Sequence, residues 1–100
     1  LKYYQEALEM RKSFYPEGHN HIAASLNNIG TILRSKKNYT EALQTHEHAL
    51  DMRQKFYPSG HVSVGDSLNN IAVCYEDQHD LRKALEYYEK ALKVYRKFLS

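Results

Sequence analysis

The chain lies on itself when displaced by 42 residues, and a recurrence at that spacing restricts its fold more than any other feature. Ala7-Leu8-Glu9-Met10-Arg11 returns as Ala49-Leu50-Asp51-Met52-Arg53. Phe14-Tyr15-Pro16-Glu17-Gly18-His19 returns as Phe56-Tyr57-Pro58-Ser59-Gly60-His61, and Ser25-Leu26-Asn27-Asn28-Ile29 as Ser67-Leu68-Asn69-Asn70-Ile71. Ala42-Leu43 returns as Ala84-Leu85, and Ala49-Leu50 returns again as Ala91-Leu92. A partial third copy begins the chain: Leu1-Lys2-Tyr3-Tyr4, Ala7-Leu8 and Phe14 match Leu85-Glu86-Tyr87-Tyr88, Ala91-Leu92 and Phe98. A period of this size means stacked units, none of which can bury its apolar face alone.

Each unit reads as two helices. Leu26, Ile29, Gly30 and Leu33 recur at three- and four-residue steps, which is one face of a helix, and Leu68, Ile71, Ala72 and Tyr75 repeat them. The second helix carries Ala42, Leu43, His46, Ala49 and Leu50, then Ala84, Leu85, Tyr88, Ala91 and Leu92. Period-two alternation, the mark of strands, is scarce. Asn38 with Glu41 three residues on forms a capping-box-like pair, and Asp80 stands at the equivalent place with Lys83 as its third neighbour. Pro16-Glu17-Gly18 and Pro58-Ser59-Gly60 end the longer helices. The pattern predicts about five helices, over roughly 1–15, 20–36, 39–57, 62–78 and 81–99. The connections are short, so neighbours are antiparallel. The expected organisation is a single array: 1–16 as the second helix of a preceding repeat, then full repeats over 20–57 and 62–99. Its opening, as though already inside a helix, reads as an excerpt from a longer chain.

The residues resemble the tetratricopeptide repeat, whose pattern is large-x-x-large-small-x-x-large followed by Ala-x-x-x-large-x-x-Ala. Leu26, Ile29, Gly30, Leu33, Ala42, His46 and Ala49 hold its positions in one copy; Leu68, Ile71, Ala72, Tyr75, Ala84, Tyr88 and Ala91 hold them in the next. The familiar unit is about 34 residues, and the residues added here fall around Phe-Tyr-Pro-x-Gly-His. With Leu-Asn-Asn-Ile in the first helix, the chain looks like the kinesin light chain and nephrocystin-like class. Two positions depart from the pattern: Leu26 and Leu68 stand where the family has an aromatic, and so does His46.

The resemblance implies an all-α fold in which antiparallel helix pairs stack as a right-handed superhelix. The first helix of each pair would line a concave groove that receives an extended peptide or a partner helix. Helical geometry selects groove candidates on its own terms. With Leu26, Ile29 and Leu33 facing the paired helix, Ala24, Asn28, Thr31 and Ser35 form the neighbouring stripe, with Arg34 at its margin. The equivalents are Asp66, Asn70, Val73 and Asp77, with Glu76 at the margin. Asn28 and Asn70 stand out, because an amide both donates and accepts and can hold a peptide backbone of any sequence. The competing reading is that Asn27, Asn28, Asn69 and Asn70 bond adjacent helices and stabilise the stack. A variety of the family that clamps a C-terminal carboxylate uses a lysine where Asn27 and Asn69 stand here, so that ligand is not expected.

Composition and the remaining motifs exclude most chemistry. The formal charge, 14 − 12 = +2, is too small and too scattered to point to nucleic acid or an anionic membrane. No apolar run approaches the roughly 20 residues that span a bilayer. The single cysteine, Cys74, cannot form an internal disulfide and favours a cytoplasmic, reducing setting. It has no base beside it and reads as a small buried hydrophobe. His46 and His48 point about 200° apart on a helix and cannot share a metal. His46 reads as a hydrogen-bonded filler between helices, and His19 and His61, each following Pro-x-Gly, as structural residues at helix starts. No phosphate loop, carboxylate pair or triad is legible, so neither enzyme activity nor a cofactor is expected. The nine tyrosines read mostly as packing between repeats. Glu6, Glu9, Lys12, Glu47, Asp51, Glu86 and Lys93 read as a solvated convex face.

The expected function is a protein-interaction module of an adaptor or scaffold. A spacer that stacks on further repeats and a regulatory arm of a larger multidomain protein are the alternatives. Repeat arrays close with a helix that is polar outside. The last helix here carries Tyr88, Ala91, Leu92 and Tyr95, which predicts self-association through uncapped terminal helices.

Overall fold

A computed structural model describes residues 19–99, with side chains from residue 21 onward. The described residues form four helices and no strand: α1 (His19–Ser35), α2 (Tyr39–Phe56), α3 (Val62–Asp77) and α4 (Leu81–Leu99). The count is four rather than about five because the helix expected over 1–15 lies outside the described residues, as does the turn at Pro16-Glu17-Gly18. The all-α architecture of stacked helix pairs is otherwise the expected one.

The two turns inside the pairs are built identically. After α1 the backbone N–H of Asn38 donates to Leu33 O and that of Lys37 to Arg34 O, both at 2.9 Å, with Lys37 left-handed at φ 64. After α3, Asp80 N–H donates to Tyr75 O and His79 N–H to Glu76 O, again at 2.9 Å, with His79 at φ 63. This is the Schellman closure, usually made by glycine. The expected caps of the following helices fare differently. Asp80 Oδ1 accepts from Lys83 N–H at 3.3 Å, but the Asn38 side chain makes no capping bond. The Asn38 backbone (φ −86, ψ 68) is not the extended form from which an N-cap side chain reaches back.

Between the pairs the chain turns through Pro58-Ser59-Gly60. Gly60 has φ +94, and a Cβ there would stand 2.9 Å from Phe98 Cζ, so both backbone and space require glycine. His61 then caps α3: its backbone is extended, its Nδ1 accepts from Ser63 N–H at 3.0 Å, and its ring stacks on Tyr57 at 4.1 Å. The structural role expected for a histidine after Pro-x-Gly is therefore met at His61.

Helix α1 packs on α2, α3 on α4, and α2 on α3, while α1 and α3 touch only lightly. One core cluster unites Ile22, Ala23, Leu26, Ile29, Leu33, Ala42, Ala49 and Cys74; a second unites Val64, Leu68 and Ala91, flanked by Leu50, Tyr87, Val94 and Tyr95. Each fully buried Leu or Ile stabilises by roughly 1.5–3 kcal/mol. The alanines Ala42, Ala49, Ala84 and Ala91 are all buried and let the helices approach closely. Cys74 is fully enclosed, and burial pushes its thiol up to about 11, as befits a small hydrophobe. Glu47, Asp51, Glu86 and Lys93 are exposed, as expected of an outer face.

The expectation for the outside of the last helix needs correction. Ala91 is buried, and Tyr88 and Tyr95 are half-buried, because all three turn toward α3. The exposed apolar residues of α4 are Leu81, Leu85, Leu92, Phe98 and Leu99, with Leu85, Leu92 and Leu99 in a stripe of seven-residue steps.

Candidate functional site

The first-helix stripe emerges as geometry predicts in α1. Ala24, Asn28, Thr31 and Ser35 are all exposed, on the flank beside the buried face of Leu26, Ile29 and Leu33. In α3 the equivalent stripe is more covered: Asp66 is exposed, while Asn70, Val73 and Asp77 are half-buried. The reason is topological, since α3 has α2, α4 and α1 beside it.

Several of these side chains are already engaged. The Thr31 hydroxyl donates to Asn27 O at 2.9 Å and that of Ser35 to Thr31 O at 3.1 Å, which leaves their lone pairs outward. Arg34 Nη1 donates to Asp77 Oδ2 at 2.9 Å, joining the ends of α1 and α3 across the boundary between repeats. Tyr95 donates to Asp66 Oδ1 and Tyr88 to Glu76 Oε1, each at 2.6 Å. These carboxylates push the Tyr88 and Tyr95 hydroxyls up to about 12, the hydrogen bond to Glu76 dominating at Tyr88 and burial at Tyr95. Both phenols therefore stay neutral. The structure thus brings Arg34 together with Asp77, and ties Asp66 back to α4. No hydrogen bond or ion pair ties down the amides of Asn28 and Asn70 among those described.

Beneath the stripe lies a polar hub that joins three helices. Arg53, only 8% exposed, donates through Nη1 to Ser63 O and to Ser67 Oγ, both at 2.9 Å. Its guanidinium can only donate, so the amide oxygen of Asn27 must face it, at 2.7 Å from Nη1 and 3.0 Å from Nη2. The Asn27 amide nitrogen then donates to His46 Nδ1 at 3.0 Å, which must be an unprotonated acceptor. The environment of His46 agrees. It is 1% exposed, and burial, reinforced by the Arg34 and Arg53 charges, lowers its pKa from 6.5 to about 4. Its ring lies so close to Gly30 that a Cβ there would come within 2.5 Å of Nε2. Asn27 therefore bonds neighbouring helices, and His46 is the hydrogen-bonded filler it was expected to be.

The part of Arg53 is absent from the sequence expectations. A signal was present: Ala42, His46, Ala49 and Arg53 are spaced as one continuous helical face, so residue 53 had to be buried.

No three His, Cys, Asp or Glu side chains converge as metal ligands among the described residues, and no described helix is long and apolar enough to cross a membrane. No curated protein matches this sequence. The family model described as "Tetratricopeptide repeat" matches residues 1–55 and again residues 21–97, nearly the whole chain. Two successive helix pairs, the small residues at their crossings and this double match agree, and the chain belongs to the tetratricopeptide repeat family.

Proposed function

We propose that this chain is a protein-interaction module that holds an extended peptide or a partner helix along the exposed flank of α1 and the partly covered flank of α3. The contacts assigned to it are Asn28, Thr31, Arg34 and Ser35 from one repeat (20–57) and Asp66, Asn70, Val73 and Asp77 from the next (62–99). The observation that carries the reading is the pair Asn28 and Asn70. They recur at the same register one repeat apart, and no hydrogen bond ties down their amides among the described residues, whereas their neighbour Asn27 is consumed inside. Two amides so placed suit main-chain groups of a bound peptide. The residues around them differ between copies, Thr31 against Val73 and Ser35 against Asp77, as a surface that selects a ligand requires and a plain spacer does not.

Family membership supports a protein partner and no catalysis of its own. The 42-residue spacing and the Leu-Asn-Asn-Ile segments support the kinesin light chain-like class, and with it a cytoplasmic adaptor or scaffold. Nucleic acid and membrane are not among the proposed partners. The test is an immobilised peptide library probed with the wild type and with Asn28→Leu/Asn70→Leu, the variant shown by circular dichroism to stay folded. Retention of a defined peptide class by the wild type alone supports the groove; equal binding, or none, rejects it.

A second reading, self-association through α4, is favoured by one observation. Leu85 and Leu92 are 60% and 45% exposed, whereas their equivalents Leu43 and Leu50 on α2 pack against neighbours. Sedimentation of the chain against Leu85→Glu/Leu92→Glu tests it: mass that falls with dilution in the wild type only supports it, and a concentration-independent monomer rejects it.

A further inference from the structure

We infer that Arg53 is a positioning residue: from α2 it grips α1 and α3 together and so sets the separation of the two groove flanks. The inference rests on the groove reading for its consequence but not for its test.

Helices α1 and α3 carry the proposed contacts yet touch only lightly, so direct apolar packing between them, to which Cys74 contributes, does little to fix their spacing. The polar ties among the described residues do so at two levels. Arg34–Asp77 joins the C-terminal ends at a half-exposed site, where an ion pair is worth little. The guanidinium of Arg53 acts lower down and in the interior. It reaches Asn27 on α1, the residue before Asn28, and Ser63 and Ser67 on α3, Ser67 lying one turn before Asn70. A planar fork with fixed N–H directions specifies both helices at once, which a single point charge cannot do.

The arrangement is costly, and the cost falls at one place in the repeat. Every acceptor of Arg53 is neutral, and its Nε–H, buried, has no partner. Burial disfavours the charge, opposed chiefly by Asp66, itself a residue of the groove stripe. The equivalent position in α4 is Tyr95, which bonds Asp66 within its own pair and leaves no buried cation. The fold therefore fills this site cheaply in α4, and uses arginine where one pair meets the next.

The experiment needs no ligand. In the full chain carrying Cys74→Ala, nitroxide labels at Thr31→Cys and Val73→Cys report the α1–α3 separation by dipolar electron paramagnetic resonance. The background is expected to give one narrow distance distribution. Arg53→Met, which fills the volume without the fork, is expected to widen it about twofold while helix content by circular dichroism is retained, since cores lose uniqueness before stability. Ser67→Ala, which removes one of the two α3 acceptors and leaves the Ser63 carbonyl and Asn27 in place, serves if Arg53→Met does not fold, and is expected to widen the distribution by less. Arg53→Lys should fall between wild type and Met. A distribution unchanged in folded Arg53→Met, or unchanged in Ser67→Ala where Arg53→Met does not fold, overturns the inference. Failure of the peptide library to retain any ligand would remove the groove reading and leave the distance result standing.

Discussion

Gly30→Ala should destabilise this protein, although alanine is the better helix former. An exposed helical glycine replaced by alanine gains about 1 kcal/mol. Here the new methyl would lie 2.5, 2.7 and 2.8 Å from Nε2, Cε1 and Cδ2 of His46. Contacts under 3 Å are not tolerated, so the ring must move, and it has little room at 1% exposure. Overpacking of this kind costs about 1–3 kcal/mol, and moving the ring off the Asn27 amide gives up about 1 kcal/mol more. The net expectation is a loss of about 1–3 kcal/mol. For a domain this small each kcal/mol lowers Tm by about 4–8 °C. Thermal unfolding followed by circular dichroism measures it, and the control is the same change in a His46→Ala background. Without the ring the methyl has space, and Gly30→Ala should there recover its propensity gain and raise Tm. The second repeat differs at this crossing: Ala72 stands in place of Gly30, and Tyr88, in place of His46, is half-buried and bonds Glu76. A Gly30→Ala protein as stable as the wild type, or a methyl equally harmful with and without His46, would refute the account of this crossing.

Three further expectations follow, two from the interior and one from a turn. His46 has its folded pKa lowered to about 4, so the unfolded chain binds the extra proton between about pH 4 and 6.5. The contribution of His46 is thus complete above about pH 6.5 and declines as the pH falls, by about 3 kcal/mol at pH 4; urea titrations should show that slope in the wild type and a flatter one in His46→Gln. Cys74, enclosed and with its thiol held up to about 11, should react with a neutral thiol reagent at pH 7.5 only at the rate of unfolding, and rapid labelling of the native protein would contradict its place in the core. Lys37 pays for a left-handed backbone at φ 64, so Lys37→Gly should raise stability by up to about 1 kcal/mol in a denaturant titration, and a loss would speak against the Schellman closure.

The sequence disclosed the fold through repetition. A 42-residue displacement marks the paired helices, the buried alanines and the turn at Pro58-Ser59-Gly60 because each is local and recurs. The exposed flank of α1 was equally legible, since three residues on a known face orient a whole helix. What the sequence does not reveal depends on neighbours that are distant in the chain. Arg53 looks like an ordinary charged residue until Asn27, Ser63 and Ser67 surround it. Asn38 has the right side chain for a cap, but its backbone, at φ −86 and ψ 68, is not the extended form a cap needs. Tyr88 and Tyr95 looked like surface apolar residues because their acceptors, Glu76 and Asp66, lie on another helix. Arg34 and Asp77 each read as groove residues, but their mutual bond follows from the stacking of pairs, not from either sequence copy alone.

The central claim is that Asn28 and Asn70 hold a ligand, and the side-chain amide resonances of these two residues test it most directly. In a nitrogen–proton correlation spectrum, titration with a peptide selected from the library should move the NH2 signals of Asn28 and Asn70 together and leave that of Asn27, consumed by His46 and Arg53, in place. Shifts confined to the outer face of α4, around Leu85 and Leu92, with the Asn28 and Asn70 amides unmoved, would contradict the claim.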